Sequence, residues 1–217
     1  MRILIIAAGL FSDFYCLKSI NTAFAVLLIF LILSCKKEDN PVIPEEPVSS
    51  WSEQNSNVTN NLKAVFFINS LTGYAAGNSF PNDTNKLIKT INGGSDWFRL
   101  PVNLNDSSSY NAILFIDDNT GFVAGSRGKI NRTTNAGNTW FPSITNNQAF
   151  LYDIKRFDDN IYLACGTQGT MLRSTNGTLS WNTVHTGTAF SIYSISVNNT
   201  GSAFACGDAG TMLKTTD

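Results

Sequence analysis

The stretch TTNAGNTW at residues 133–140 decides the fold prediction, because closely related stretches occur twice more with the same internal spacing. These are TINGGSDW at residues 90–97 and STNGTLSW at residues 174–181. In all three, a Trp stands five residues after an Asn. An Asn side chain accepts backbone N–H bonds in an Asx turn, Gly allows a positive φ, and Trp brings a large apolar surface to a core. The stretch therefore predicts a tight polar turn whose Trp packs in the hydrophobic core.

The chain around these turns consists of a repeated unit. The three Trp residues are spaced by 43 and 41 residues, and the units cover residues 64–97, 112–140, 152–181 and an incomplete 192–217. Each complete unit contains four strand-like stretches, of which the second is nearly all apolar and is expected to be buried on both faces. Four strands in about 40 residues is the size of a β-propeller blade. The sequence predicts an all-β propeller of four-stranded blades, with about four blades present.

The residues predicted to form the turns and their anchors share the Asn–Gly–Trp pattern or its beginning. They are Asn92, Gly94, Trp97, Asn135, Gly137, Trp140, Asn176, Trp181 and Asp217. The third turn has Thr178 where the others have Gly, so it is expected to differ or to be strained. The fourth unit stops at Asp217, which favours a truncated chain, because an open arc exposes a sheet edge. The alternative is closure of the fourth blade by Trp51 and its neighbours.

These turns resemble the Asp-box, or BNR repeat, of sialidases and related propellers, with Asn in the Asp position. Together with the GFVAG-type second strands, the units look most like the photosystem II stability and assembly factor-like branch of that superfamily, over residues 51–217. In that branch a propeller acts as an assembly or binding scaffold without known catalysis. The resemblance implies the same kind of role here, with no implication of photosynthesis.

The first 34 residues resemble a bacterial lipoprotein signal peptide. An apolar run at residues 23–33 ends in Ser34-Cys35, which resembles a lipobox, and it is too short to cross a hydrocarbon core of about 30 Å as a helix. The resemblance implies cleavage before Cys35 and diacylglycerol on its thiol. An uncleaved anchor is the alternative. A second apolar stretch at residues 3–11 indicates either that residues 1–17 over-extend the start or that two membrane segments are present.

Residues 35–50 are expected to be the lipidated Cys and a flexible tether, because three Pro residues and few apolar side chains give an extended, solvated segment. The sequence KKED at residues 36–39 resembles the export signal of Bacteroidetes surface lipoproteins. An ordinary charged tether is the alternative. The expected location is the bacterial outer membrane, exposed at the surface, with the membrane as a partner through the lipid on Cys35.

Composition excludes several classes of function. The 217 residues carry 15 Lys and Arg against 16 Asp and Glu, and only 14% are charged, so a broad basic surface for nucleic acid is absent. A single His excludes a His-rich metal cluster. No cofactor, metal site or catalytic residue is predicted.

The predicted function is a non-catalytic, surface-anchored propeller scaffold that binds protein or glycan through loops on one face. The best candidate for a contact is Arg127, which follows a repeated Gly after a second strand. The residues treated as its equivalents are Asn78, Gln168 and Asp208.

The alternative is part of a sialidase-like carbohydrate-active enzyme, or its glycan-recognition domain. Sialidases surround a carboxylate with three Arg residues. Arg132 and Arg173 here share a repeat position with Lys89 and Lys214, so a structural role is expected for them before a catalytic one. His185 is expected to be solvated or hydrogen-bonded rather than a base.

Two cysteines are expected to be small buried thiols. Cys165 and Cys206 occupy equivalent positions in adjacent units, where other units have Ala76 and Ala124. The paired acids at 117–118 and 158–159 are expected to be solvated turns rather than calcium ligands.

Overall fold

The computed structural model describes residues 50–78, 86–100 and 108–217. Residues from Ser52 onward belong to one compact unit. The predicted signal peptide, Cys35 and nearly all of the tether lie outside the described residues. Among those that are described, no helix is long and apolar enough to cross a membrane.

The described chain forms four antiparallel sheets, each a simple meander of consecutive strands. The first contains β1 (Leu62–Phe67), β2 (Gly73–Gly77), β3 (Leu87–Thr90) and β4 (Phe98–Arg99). The second contains β5 (Tyr110–Phe115), β6 (Gly121–Gly125), β7 (Ile130–Thr133) and β8 (Phe141–Pro142). The third contains β9 (Leu151–Arg156), β10 (Tyr162–Gly166), β11 (Met171–Ser174) and β12 (Asn182–Val184). The fourth contains β13 (Ile192–Val197), β14 (Ala203–Gly207) and β15 (Met212–Thr215). The all-β prediction and the four repeated sheets are confirmed.

Neighbouring sheets pack against one another through their first and second strands, and the core lies between them. Every residue of β2, β6 and β10 is buried, as the apolar sequence of these strands predicts. Side chains alternate between the two faces: Leu163 and Cys165 face the fourth sheet, whereas Tyr162 and Ala164 face the second. The first strands β1, β5, β9 and β13 pack beside one another, so they are the inner strands of the arrangement.

The Asn–Trp turns join the third and fourth strands of each complete sheet, and their polar bonds repeat. In the second sheet Thr139 N–H donates to Asn135 Oδ1 (2.9 Å) and Gly137 N–H donates to Thr133 Oγ1 (3.0 Å). The first and third turns have the same pair of bonds. Thr215 Oγ1 donates to Asp217 Oδ1 (2.6 Å), just as Thr133 Oγ1 bonds to Asn135 in the second sheet.

The third turn keeps this geometry at the expense of backbone strain. Thr178 is fully buried and has a φ of 70°, in the left-handed region where Gly94 (95°) and Gly137 (86°) lie in the other turns. A non-glycine residue in this region carries a steric cost of about 1–2 kcal/mol. Of the two expectations for this turn, strain is the one observed.

The tryptophans of the second and third turns lie between sheets. Trp140 packs between the first and second sheets and Trp181 between the second and third, with exposures of 6% and 3%. Trp97 packs against Ala75 and Ile88 on the other face of the first sheet. Trp51, the alternative residue for closing the fourth blade, is fully exposed.

The two cysteines are both thiols, but only one is buried. Cys165 lies between the third and fourth sheets, where burial raises the pKa of its thiol to about 12. The expectation that Cys206 is equally buried is wrong. It occupies the equivalent position, but it faces away from the third sheet, and no described residue covers that face of the fourth sheet.

Candidate functional site

The links between the second and third strands begin at the same end of the four sheets, and their described residues form what we call the turn face. These are Asn78 of the first sheet, residues 126–128 of the second, residues 167–169 of the third and residues 208–210 of the fourth. In each, the residue after the repeated Gly donates its backbone N–H to the carbonyl just before the inner strand of its own sheet. These bonds are Asn78 to Asn61 (3.0 Å), Ser126 to Ser109 (2.9 Å), Thr167 to Phe150 (3.0 Å) and Asp208 to Ser191 (2.9 Å). Backbone bonds therefore fix the start of every link next to an inner strand.

The repeated Gly permits this contact. A Cβ on Gly125 would lie 1.8 Å from the carbonyl oxygen of Ser109, and one on Gly207 would lie 1.9 Å from that of Ser191. Any side chain there would push the turn away from the inner strand. The Gly-ending second strands seen in the sequence are thus explained by the close approach of two backbones.

The four predicted contact residues all lie on the turn face, but at two successive positions. Asn78 and Asp208 directly follow the repeated Gly and are half-buried, whereas Arg127 and Gln168 come one residue later and are exposed. Treating all four as equivalent was wrong. The true counterpart of Arg127 and Gln168 in the fourth sheet is Ala209.

The later position has an unusual backbone. Arg127, Gln168 and Ala209 have φ values of 59°, 58° and 53°, in the left-handed region. Non-glycine residues are uncommon there, and such residues cluster at functional sites. This backbone conformation is repeated in three consecutive sheets, so it is a regular feature of the turn. It carries the exposed Arg127 and Gln168 side chains.

Two tyrosines that sequence reasoning missed extend this surface. Tyr152 and Tyr193 occupy the second position of inner strands β9 and β13, with ring centroids 5.2 Å apart. The Tyr193 hydroxyl lies 2.9 and 3.0 Å from the two carboxylate oxygens of Asp208, and this hydrogen bond is the largest cause of the raised pKa of Tyr193. Their spacing of 41 residues could have identified them as repeat equivalents, but the contact with Asp208 is tertiary.

Aromatic side chains are also exposed in the segments that lead into the inner strands. Phe150 and Phe190 are each 53% exposed, and Tyr193 is 48% exposed. A surface that combines exposed aromatic rings with Arg127, Gln168 and Asp208 can stack on a ligand and donate or accept hydrogen bonds. This arrangement suits recognition of another molecule.

The arginines considered for a sialidase-like site are not gathered in one place. Arg127 lies on the turn face, whereas Arg156 ends β9 at the opposite end of its sheet and Arg99 lies on the short outer strand β4. Arg132 and Arg173 are half-buried on third strands, and their Nε atoms have no hydrogen-bond partner. His185 is exposed just after β12.

The acidic pairs act as turn caps. Asp117 Oδ1 accepts the backbone N–H groups of Asn119 (2.8 Å) and Thr120 (2.6 Å), and Asp158 is bonded in the same way to the two corresponding residues of its turn. Burial raises the pKa of Asp117, but the two backbone N–H donors, the Thr120 hydroxyl and the Arg132 charge together lower it by more, so the pKa lies below its ordinary value. Within the described residues, no group of three potential ligands could hold a metal ion.

Comparison with known proteins identifies the fold. No protein-family model and no curated protein matches the chain. Among solved structures, it is similar to YCF48 bound to D1 peptide (18% identity, TM-score 0.56, 69% of this chain and 47% of the other). It is also similar to YCF48 from Cyanidioschyzon merolae (20%, 0.57, 72% and 51%) and to a GH74 enzyme of Niastella koreensis (16%, 0.52, 68% and 27%).

The chain thus spans about half the length of the two YCF48 structures. At these identities the likeness concerns the fold alone. Together with the four meandering sheets, it establishes that the described part of the chain has a β-propeller fold.

Proposed function

We propose that this chain is a non-catalytic propeller scaffold that binds a protein or glycan through its turn face. The observation that carries the proposal is the repeated backbone hydrogen bond that fixes the first residue of each link to the carbonyl before an inner strand. It places Arg127, Gln168 and Asp208 on the same face as exposed aromatic rings. Such preorganised aromatic and polar groups lower the entropic cost of binding. A protein segment is the first choice of ligand, since one protein of similar fold has been solved with a bound peptide.

We further propose that the lipid on Cys35 holds this scaffold at the outer surface of a bacterial outer membrane. The support is the lipobox-like sequence before Cys35 and the charged, Pro-containing tether after it. Metabolic labelling with a palmitate analogue tests the anchor. Cys35→Ser is expected to abolish the label, whereas Cys16→Ser, in the segment removed by cleavage, keeps it. A label that survives Cys35→Ser contradicts the anchor.

Site-specific photocrosslinking tests the binding face in the full-length chain. A photoreactive amino acid at Gln168 on the turn face is expected to capture a discrete partner in the producing cells. The matched control is the same amino acid at Leu179, which is 61% exposed but lies in an Asn–Trp turn at the opposite end of the third sheet. Equal capture from both positions, or capture only from Leu179, would overturn the assignment of the face.

Charge reversal provides a second readout. Arg127→Glu is expected to reduce the captured species without changing the unfolding temperature, because the side chain is exposed. Adding free oligosaccharides or protease-treated extracts as competitors then distinguishes a glycan from a protein ligand.

A further inference from the structure

One residue of the turn face departs from the bonding pattern of its repeat. In the second sheet, the hydroxyl of Ser126 accepts the backbone N–H of Ser109 (2.9 Å), and Thr167 accepts the equivalent bond in the third sheet. Asp208 occupies this position in the fourth sheet, but among the described residues its carboxylate accepts no such backbone bond and is bonded to the Tyr193 hydroxyl instead. A departure of this kind from a repeated local rule is typical of a functional position.

The charge of Asp208 is not neutralised by the protein. Asp208 is half-buried, and no Lys or Arg in the described part of the chain forms an ion pair with it. Lys155 pairs with Asp153 at 2.8 Å, and the Lys214 ammonium lies over an aromatic ring of its own sheet. A carboxylate has about four acceptor sites, of which one hydroxyl group uses one or two. Asp208 therefore keeps acceptor capacity for a cation from outside.

The position of the tyrosine hydroxyl determines which cation fits. It lies 2.9 Å from one oxygen of the Asp208 carboxylate and 3.0 Å from the other, so it stands between the two oxygens. A guanidinium group needs this side of a carboxylate for its pair of parallel hydrogen bonds. A lysine ammonium is a compact point charge and can use the lone pairs that are left. The arrangement favours an ammonium over a guanidinium.

Two aromatic rings lie next to this carboxylate. The ring centroids of Tyr152 and Tyr193 are 5.2 Å apart and the ring planes are inclined at 53°. Tyr152 is only half-buried although its sheet has a neighbouring sheet on each side, so this repeat position faces solvent in the middle of the fold. A cation within about 6 Å of a ring centroid is attracted to the face of the ring, and lysine methylenes pack well on such rings.

We propose that the turn face binds a lysine side chain of a partner polypeptide at Asp208. Its ammonium donates hydrogen bonds to the carboxylate, and its methylenes pack against Tyr152 and Tyr193. This inference rests on the proposed binding role of the turn face and names the chemistry of its ligand. Arg127 carries the opposite charge on the second sheet, so like-charge repulsion keeps the lysine at the side of the fourth sheet.

A small probe tests the site in the full-length chain. The probe is Nα-acetyl-lysine methylamide, and nuclear magnetic resonance of isotope-labelled tyrosine rings is the readout, at low ionic strength because salt screens exposed ion pairs. Saturable shifts are expected for the rings of Tyr152 and Tyr193, which Tyr→Phe variants assign. The norleucine analogue has the methylenes but no charge and is expected to give no saturable shift. The arginine analogue is expected to bind more weakly than lysine.

A matched pair of protein variants locates the ammonium. Asp208→Asn keeps the shape of the side chain but removes its charge, and it is expected to weaken binding of the lysine probe by about 10-fold. Asp118→Asn removes the same charge from an exposed position at the opposite end of the second sheet and is expected to leave binding unchanged. Circular dichroism and thermal unfolding verify that both variants fold.

Four outcomes would overturn the lysine site. They are the absence of saturable shifts up to about 100 mM lysine probe, equal binding of the norleucine analogue, tighter binding of the arginine analogue, and unchanged affinity of the Asp208→Asn variant.

Photocrosslinking separates this inference from the proposed function on which it rests. Capture of a partner from Gln168 is expected to decrease when Asp208→Asn is added to the same chain. If capture stays at its full level, the turn face stands and the lysine site is wrong. If Gln168 captures nothing while the lysine probe binds as expected, the proposed function fails and the chemistry of the site is upheld.

Discussion

Replacing Trp140 and Trp181 by Phe is expected to destabilise the protein unequally. Both side chains are buried between sheets, with exposures of 6% and 3%. The Trp140 indole N–H donates to the carbonyl of Gly137 at 3.0 Å, whereas the Trp181 indole N–H has no acceptor among the described residues. Phe removes packing at both sites but a hydrogen bond at only one. Since such a bond contributes about 1 kcal/mol net, Trp140→Phe should cost about 1 kcal/mol more than Trp181→Phe.

Urea unfolding followed by far-ultraviolet circular dichroism measures this difference without relying on the fluorescence of the replaced residue. Truncation to Ala at either position should cost about 3–5 kcal/mol, because it leaves a cavity between two sheets. Trp51→Ala is the control and should change the free energy of unfolding by less than about 0.5 kcal/mol, since that side chain is fully exposed. Equal losses for the two Phe variants, or a larger loss for Trp181→Phe, would show that the Trp140 hydrogen bond does not stabilise the fold.

Three further predictions concern the turns and the thiols. Thr178→Gly should stabilise the chain by up to about 1 kcal/mol by relieving the positive φ, while Gly137→Ala, at the matching position, should destabilise it by about 1–2 kcal/mol; a loss with Thr178→Gly would contradict this. Gly125→Ala should cost about 1–3 kcal/mol, because its Cβ would meet a carbonyl oxygen at 1.8 Å, and an unchanged urea midpoint would count against the pinned turn. In native protein near pH 8, iodoacetamide should alkylate the exposed Cys206 but not Cys165, whose thiol has a pKa of about 12, and mass spectrometry showing equal labelling would argue against this packing.

The repeat made the fold predictable. The Asn-to-Trp spacing and the period located the complete sheets, and the nearly apolar second strands gave their burial. Thr178 was recognisable as a strained position because the other two turns have a Gly at the matching position. Local hydrogen bonds and the alternation of side chains along a strand depend on short stretches of sequence, so they can be predicted from the sequence.

Two of the failures depend on contacts between distant parts of the chain. Cys206 has the sequence context of Cys165, but burial requires a neighbouring sheet on its face of β14, which the described residues do not supply. The contact between Tyr193 and Asp208 joins an inner strand to a turn, and no local sequence pattern predicts it. The offset between Arg127 and Asp208 was visible in the GSRG and GDAG sequences of the two turns, where the repeated Gly fixes the count.

The first residue of each link between the second and third strands is fixed to an inner strand, and together these residues hold one preorganised surface. Hydrogen exchange measured by nuclear magnetic resonance at the amides of Asn78, Ser126, Thr167 and Asp208 is the sharpest test of this arrangement. Each of these amides donates to a backbone carbonyl next to an inner strand, so all four are expected to exchange much more slowly than the exposed amide of Gln168. Fast exchange at Ser126 and Thr167, comparable to that of Gln168, would contradict the account.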